Sequence, residues 1–457
     1  MTMTKQDFEN KARTLATELI AYATERGKQY GITDVAVGIG HNEKVTNAIE
    51  NGMITKDVSG SGWDVGVTIY AGKRRLAFST NTLDIRQICA SIDQNMQVIH
   101  LVPEDKFAGL LEKEKLYRGT GENLDKVDNN PPTRERLIDY GRKMAAAALQ
   151  TGIKTVEAEV EATHGYSLMM ATNGLYLLNE GTSSGAGVQA IAEKNGKMEY
   201  SYDFSLARHF NDMAKPEEVG HKAAQKALAK LGSALPDSQQ ATIILSPEAA
   251  STFFSSVISA INGEPVYREE TFLKDKMGQQ VMNAAITIED DPRIPGTLNS
   301  QITDNTGMES KKIVFVDQGV LRSFNVSLVE ARQLGIEPIG RNKTPGNQSG
   351  LTNLRVLPGT QSPEELMADI KDGFYIRGFQ GGMASAINGV FSRPAYGHTI
   401  KDGKITGDAV SGFVVAGNLQ QMFMSVTVAN DTPRLPDPRH TAAVPTARID
   451  GIKIAGR

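Results

Sequence analysis

Residues 243–254 read IILSPEAASTFF. The apolar run Ile243-Ile244-Leu245 leads into a helical pattern carried by Phe253, Phe254, Val257, Ile258 and Ile261. Ser246 suits an N-cap, Pro247 the first helical position, and Glu248 the positive end of a helix dipole. A strand therefore passes straight into a helix. Zinc peptidases often place two histidines one turn apart on such a helix, with a glutamate beside the first. Here the glutamate is present and both histidines are missing, so the stretch is either a structural helix or a metal-site helix without its ligands.

Upstream of this junction the texture is helical at both ends and β-rich between. Residues 6–28 carry Phe8, Ala12, Leu15, Leu19, Ile20 and Ala23 at helical spacing. Asp34 to Ile39 alternates like a strand, Asn51-Gly52 marks a tight turn, and residues 66–70 and 76–78 flank a turn at Ala71-Gly72. A helix follows over 83–98. The same order then recurs, with a helix at 133–151, a strand at 156–160, turns at Asn173-Gly174 and Asn195-Gly196, and a helix at 216–232. Asn51-Gly52 maps onto Asn173-Gly174 and Gly66-Val67 onto Gly187-Val188 at almost one offset, which argues for an internal duplication over coincidence. The expectation is two helix–sheet–helix units, about 6–99 and 133–232, that share one core and are linked through 119–133.

After a second linker at 232–240, helices become fewer. They are expected at 247–261, 327–335 and 363–371, with a β-meander or partly closed barrel over 374–430. The reading is an α+β protein. Its N-terminal domain (1–235) consists of duplicated helix–sheet–helix units, and its C-terminal domain (236–457) is mostly antiparallel β with a few helices.

The composition narrows the function. Net charge is −4, with 49 basic and 53 acidic residues well mixed, and no basic block exceeds Lys73-Arg74-Arg75. That gives no footprint for nucleic acid. No stretch approaches the roughly 18 apolar residues of a membrane span, and the N-terminus lacks the pattern of a secretory signal. The single cysteine, Cys89, excludes an intramolecular disulfide and is expected to be a buried structural thiol. A cytoplasmic protein fits these features.

Several motifs fail on inspection. Ser59-Gly60-Ser61-Gly62 lacks the spacing of a serine elbow and reads as a flexible loop. Gly335 to Gly340 has Walker spacing, but Arg341-Asn342 follow where Lys and Ser/Thr are needed. Gly38-Ile39-Gly40 lacks the third glycine of a dinucleotide fingerprint. The seven histidines, from His41 to His440, include no pair three to five residues apart. Glu289-Asp290-Asp291, followed by Pro292 and Pro295, reads as a turn after a strand at 286–288. Gly378-Phe379-Gln380-Gly381-Gly382 is either a bulge or tight bend, or a groove in which a peptide lies against the sheet.

The ordered blocks PEAASTFFSSVISAINGEPVYREETFLKDKMGQQV, ITIEDDPRIPGTLNSQITDNTGM, SLVEARQLG, FQGGMASAINGVFSRPAYG and VAGNLQQMFMSVTVANDT together resemble the TldD/PmbA family, also called modulators of DNA gyrase. The resemblance is close over the C-terminal half and looser over the N-terminal half. In the TldD branch it implies a His-Glu-x-x-x-His metal motif on the helix after the first strand of the C-terminal domain, plus a late cysteine. Here Pro247 stands at the first histidine, Thr252 at the second, Glu248 survives, and no cysteine follows Asn430. The chain is thus similar to the PmbA (TldE) branch.

What the resemblance implies is a non-catalytic subunit of a cytoplasmic TldD–TldE-type metallopeptidase acting on unstructured peptides. No cofactor is expected in this chain and zinc is expected in the TldD-type partner. The rival expectation is a stand-alone homodimeric peptide-binding protein of the same fold. A third reading, an independent hydrolase, would draw on Glu248, Tyr267, Arg268 or Asp304. Neither nucleic acid nor membrane is expected as a partner.

Overall fold

The computed structural model describes residues 3–343, 348–439 and 442–457. Its N-terminal part repeats one helix–three strands–helix unit. The first unit is α1 (Lys5–Gly27), β1 (Asp34–Glu50), β2 (Met53–Ala71), β3 (Arg74–Thr80) and α2 (Ile85–Val98). The second is α3 (Arg134–Ala148), β4 (Ile153–Ala171), β5 (Tyr176–Lys194), β6 (Lys197–Ala207) and α4 (Pro216–Leu231). The strands form one antiparallel sheet in the order β3-β2-β1-β4-β5-β6, so the units meet at the β1–β4 pair. Asn51-Gly52 and Asn195-Gly196 turn their hairpins with both residues at positive φ (46° and 85°; 52° and 76°), as a two-residue hairpin turn requires.

The two units share the sheet but not a single core. One cluster joins Phe8, Leu19, Ile88 and Ile92 to Val35, Val37, Ile39, Tyr166 and Leu168. A separate one joins Leu137, Met144, Val219 and Ala223 to Ile49, Val156, Val160 and Val188. The reason is strand length. β1 and β4 run 17 and 19 residues, so one end of each lies under α1 and α2 and the other under α3 and α4. The expectation of a single core is corrected accordingly.

Ser59-Gly60-Ser61-Gly62 is also not a loop. It lies inside β2, paired with Asn42 to Val45 of β1. The long register of that hairpin overrides the weak strand propensity of glycine and serine.

The C-terminal part opens with β7 (Gln239–Leu245), α5 (Pro247–Ile261) and a short α6 (Gly263–Tyr267). A small sheet of β8 (Ile288–Asp290), β9 (Ile313–Asp317), β10 (Val320–Leu321) and β11 (Leu354–Val356) follows, with α7 (Leu328–Leu334) between β10 and β11. Then come α8 (Pro363–Met367), β12 (Asp372–Phe379), β13 (Met383–Ala384), β14 (Val390–Lys401), β15 (Lys404–Asn418), α9 (Leu419–Ser425), β16 (Thr427–Val428) and β17 (Ala447–Ala455). The order β12-β7-β17-β15-β14 closes through β12–β14 pairing into a five-stranded barrel. Closure needs β7 and β17, which lie outside the 374–430 segment read as β-rich. The end of β7, Ile243 to Leu245, is apolar because both its faces are covered there, whereas Gln239 and Gln240 at its start are exposed. Ile243 and Leu245 enter the main core, while Ile244 packs with Leu366, Ile370 and Ile400.

Glu289 and Asp290 of the acidic triplet lie in β8, and the expected turn begins only after them, at Asp291 to Arg293. Asp290 is fully buried in β8, where it accepts from Arg341 Nε at 2.7 Å and from Thr352 Oγ1 at 2.8 Å. Glu289 is held by Arg355 and by Lys312 at 2.7 Å. Two prolines downstream could not reveal that these carboxylates have guanidinium partners 51 and 66 residues away. Loss of either member of the Arg341–Asp290 pair would strand the other and cost about 3–5 kcal/mol.

α3 and α4 cross at Gly220, where a Cβ would lie 2.2 Å from Met144 O and 3.0 Å from Ala148 N. Backbone cannot yield there, so Gly220→Ala is expected to lower stability by about 1–3 kcal/mol. Gly66→Ala, with nothing within 4 Å of the new methyl, is expected to stay within about 0.5 kcal/mol of the parent. Urea denaturation of both variants checks the contrast, and equal effects would contradict it.

Candidate functional site

The head of α5 is built by the parallel pairing of β7 with β12. Ser246 N donates to Ile376 O at 2.9 Å, and Ser246 Oγ donates to Arg377 O at 2.9 Å while accepting from Ala249 N at 3.2 Å. One serine thus caps the helix and ties it to the barrel. Pro247 occupies the first turn, where no N–H is needed. Thr252, one turn on, spends its hydroxyl on Glu248 O at 3.3 Å.

Glu248 faces a cleft of about 450 Å³ between this helix head, the barrel wall and α4. Across the cleft, Lys226 Nζ lies 2.9 Å from Glu248 Oε2 and 3.2 Å from Asp203 Oδ1 of β6. Burial works against the ammonium, but the Glu248 and Asp203 carboxylates outweigh it, and its pKa lies above the ordinary value. Lys226 is therefore a fixed cation joining the two parts of the chain. Tyr396 is pushed up to about 12 by burial and then by the Glu248 charge, so it stays a neutral phenol. The Arg377 guanidinium donates through Nε to His398 Nδ1 at 3.2 Å. Burial, then the Arg377 charge, holds the His398 pKa below its ordinary value.

This donor set does not fit zinc. Pro247 has no donor atom and the Thr252 hydroxyl is a poor ligand. An ammonium sits at hydrogen-bond distance from the Glu248 carboxylate, and cations repel. Among the described residues no three His, Cys, Asp or Glu side chains gather into a metal-binding group. His440 lies outside the described residues.

Of the four side chains suggested for an independent hydrolase, only Glu248 lines the cleft. Asp304 is buried and held by Thr306 and by Asn342 N. Arg268 pairs with Glu264 at 2.8 Å, and Tyr267 stands edge-on to Phe107. Cys89 is half-buried, and burial raises its thiol pKa, followed by the Asp93 charge.

The glycine-rich stretch lies beside the cleft. Gly378 follows a bulge in β12 at 376–378, and a Cβ there would meet the Tyr396 hydroxyl at 2.6 Å. Gln380 N donates to Pro394 O at 2.8 Å, and Arg393 Nη1 donates to Gly381 O at 3.0 Å. Gly381 and Gly382 form a bend with φ of 66° and 80°. Only Arg377, just before this stretch, reaches the cleft wall.

Sequence reasoning missed Asp203, Lys226, Lys230, Tyr396 and His398. One signal was available. In the segment HKAAQKALAK, Lys222, Lys226 and Lys230 recur every fourth residue and so share one helix face.

The fold and this junction define a two-part α+β chain whose C-terminal barrel passes from its first strand into a helix at the wall of a charged cleft. The comparisons give that class its family. Residues 128–231 match the PmbA/TldA metallopeptidase central domain and residues 238–456 the PmbA/TldA metallopeptidase C-terminal domain. The chain belongs to the PmbA/TldD metallopeptidase family. It is 27% identical over 397 residues to the metalloprotease PmbA of Escherichia coli O157:H7, covering 86% of each chain. It is 23% identical over 386 residues to a metalloprotease of Methanocaldococcus jannaschii, covering 82% of this chain and 84% of the other.

Two crystal structures share the fold. A proposed modulator of DNA gyrase from Bacteroides thetaiotaomicron aligns with a TM-score of 0.89 over 100% of both chains at 21% identity. TldE from Thermococcus kodakarensis aligns with 0.81 over 97% of this chain and 100% of its own, also at 21% identity. No helix among the described residues is long and apolar enough to cross a membrane.

Two outcomes follow. Lys226→Met leaves Asp203 and Glu248 without their shared cation. It is expected to cost about 1–2 kcal/mol, at the low end for a broken bridge because Glu248 is partly exposed. Adding Asp203→Asn should recover part of that loss in a double-mutant cycle, and strict additivity would contradict the bridge. His398, with its folded pKa depressed, disfavours the fold as pH drops below the ordinary value of 6.5, because the unfolded chain takes the proton first. By NMR titration its midpoint should lie below 6.5 and rise in Arg377→Ala. A midpoint at or above 6.5 in the parent would contradict this.

Proposed function

We propose that this chain is the metal-free subunit of a cytoplasmic two-subunit metallopeptidase, and that a relative carrying His-Glu-x-x-x-His supplies the metal. The observation that carries the reading is the head of α5, where Pro247 and Thr252 stand at the histidine positions and the Lys226 ammonium engages Glu248. Membership in a metallopeptidase family supplies the reaction class. Zinc in the partner would polarise the scissile carbonyl and activate water.

This chain's own part is to hold an unstructured peptide. β2 offers a surface for strand addition. β3 pairs only with Val65–Ala71, so the outer edge of residues 53–64 has no strand partner among the described residues, and nearly all of that stretch is exposed. An extended peptide pairing there would be gripped through its main chain, with little demand on its sequence.

The test mixes the purified chain with a family member that carries the histidine pair. Light scattering should show a mixed complex, and only the mixture should cleave an unfolded peptide. Metal-dependent cleavage by the lone chain would overturn the reading. Self-association without a mixed complex would favour the stand-alone homodimeric peptide-binding protein.

A further inference from the structure

The cleft at the head of α5 carries more positive charge than the chain itself neutralises. Lys222, Lys226, Lys230, Arg377 and Arg439 line it, against only Asp203 and Glu248. Lys226 accounts for both carboxylates, and Arg439 pairs at longer range with Asp203 (3.7 Å) and Glu218 (3.4 Å). Lys230 is only 9% exposed, and donates to the Tyr200 carbonyl at 2.9 Å while lying 4.7 Å over the Tyr396 ring. Lys222 and Arg377 form no ion pair among the described residues. Burial lowers the pKa of Lys230, a measure of how much its charge would gain from an anion. The head of α5, with its positive helix end, lies on the same wall. Between these charges the cleft also has apolar lining from Ala229, Tyr396 and Val410.

A site of this kind suits a ligand that is anionic at one end and apolar beside it. We propose that the cleft binds the C-terminal residue of a peptide, with its α-carboxylate among Lys222, Lys230 and Arg377 and its side chain against the apolar lining. The charge excess stands independently of the partner-subunit reading, and only the choice of a peptide as ligand rests on it. Lys226 is the structural member of the stripe, because its charge is already used between the two parts of the chain. Lys222, Lys230 and Arg377 are the binding members. In this geometry the cleft senses where a chain ends, whereas the open edge of β2 is suited to its middle.

Isothermal titration of the full chain with a pentapeptide ending in leucine tests this. The free acid is expected to bind about ten-fold or more tightly than the same peptide with an amidated C-terminus, the difference set by hydrogen bonds to a charged group. Lys222→Ala and Arg377→Ala should each weaken the free acid about ten-fold and leave the amidated peptide unchanged. Both side chains are exposed, so at least one of these variants is expected to melt like the parent. Equal binding of acid and amide would overturn the proposal, as would no binding. So would an amidated peptide with an internal aspartate matching the free acid, or inorganic phosphate binding where no peptide does. These failures leave the partner-subunit reading standing, because mixed-complex formation and cleavage test that separately.

Discussion

A lysine ammonium held between two carboxylates, one from each part of the chain, organises the junction between those parts. Lys226 comes from the last helix of the N-terminal repeat, Asp203 from its edge strand, and Glu248 from the first helix of the barrel part. The interaction is worth little as a surface ion pair, since Glu248 is partly in water. Its importance is positional. It ties α4 to the head of α5 and holds a positive charge beside Glu248. A divalent ion and an ammonium cannot share that space.

The rest of the architecture keeps that junction rigid. The end of β7 is buried on both faces and pairs in parallel with β12, so Leu245 and Ile376 are held side by side as the chain turns into α5. The helix then buries Phe253, Phe254 and Val257 in a core shared with the barrel and the small sheet, where Phe253 meets Phe391 and Phe423 at ring-centroid distances of 6.0 and 5.5 Å. Elsewhere the two parts are joined by Arg332, which donates to the carbonyls of Phe107, Gly109 and Leu110, and by Arg208, which donates to those of Thr182, Thr297 and Leu298. Side chains add to this seam, with Leu111, Leu116 and Leu175 packed on Leu328 and Arg332 also paired with Glu112 at 2.6 Å.

What was legible in the sequence was local. The strand-to-helix turn at Ser246-Pro247, the hairpins at Asn-Gly and the repeat of element order all depend on neighbours within a few residues. The illegible features were those that depend on distant partners. Ser59–Gly62 looks like a loop until β1 pairs with it. Glu289-Asp290 looks like a turn until Arg341 and Arg355 arrive. Barrel closure needs the pairing of β7 with β17, some two hundred residues apart. The lysine stripe is the instructive case. Its spacing could be read, but a row of lysines on a helix ordinarily faces solvent, and only the docking of the barrel turns that face into the wall of a cleft. Glu248 was found for its place in a motif, whereas its physical partner lay in the other half of the chain.

The most direct measurement is an anomalous-scattering map from crystals of the chain grown with excess zinc, recorded at the zinc edge. The account predicts no zinc peak at ligand distance from Glu248, with Lys226 Nζ refined against the ordinary electron density at hydrogen-bond distance from Glu248 and Asp203. A zinc ion bound there by this chain's own side chains, with Lys226 displaced, would contradict it.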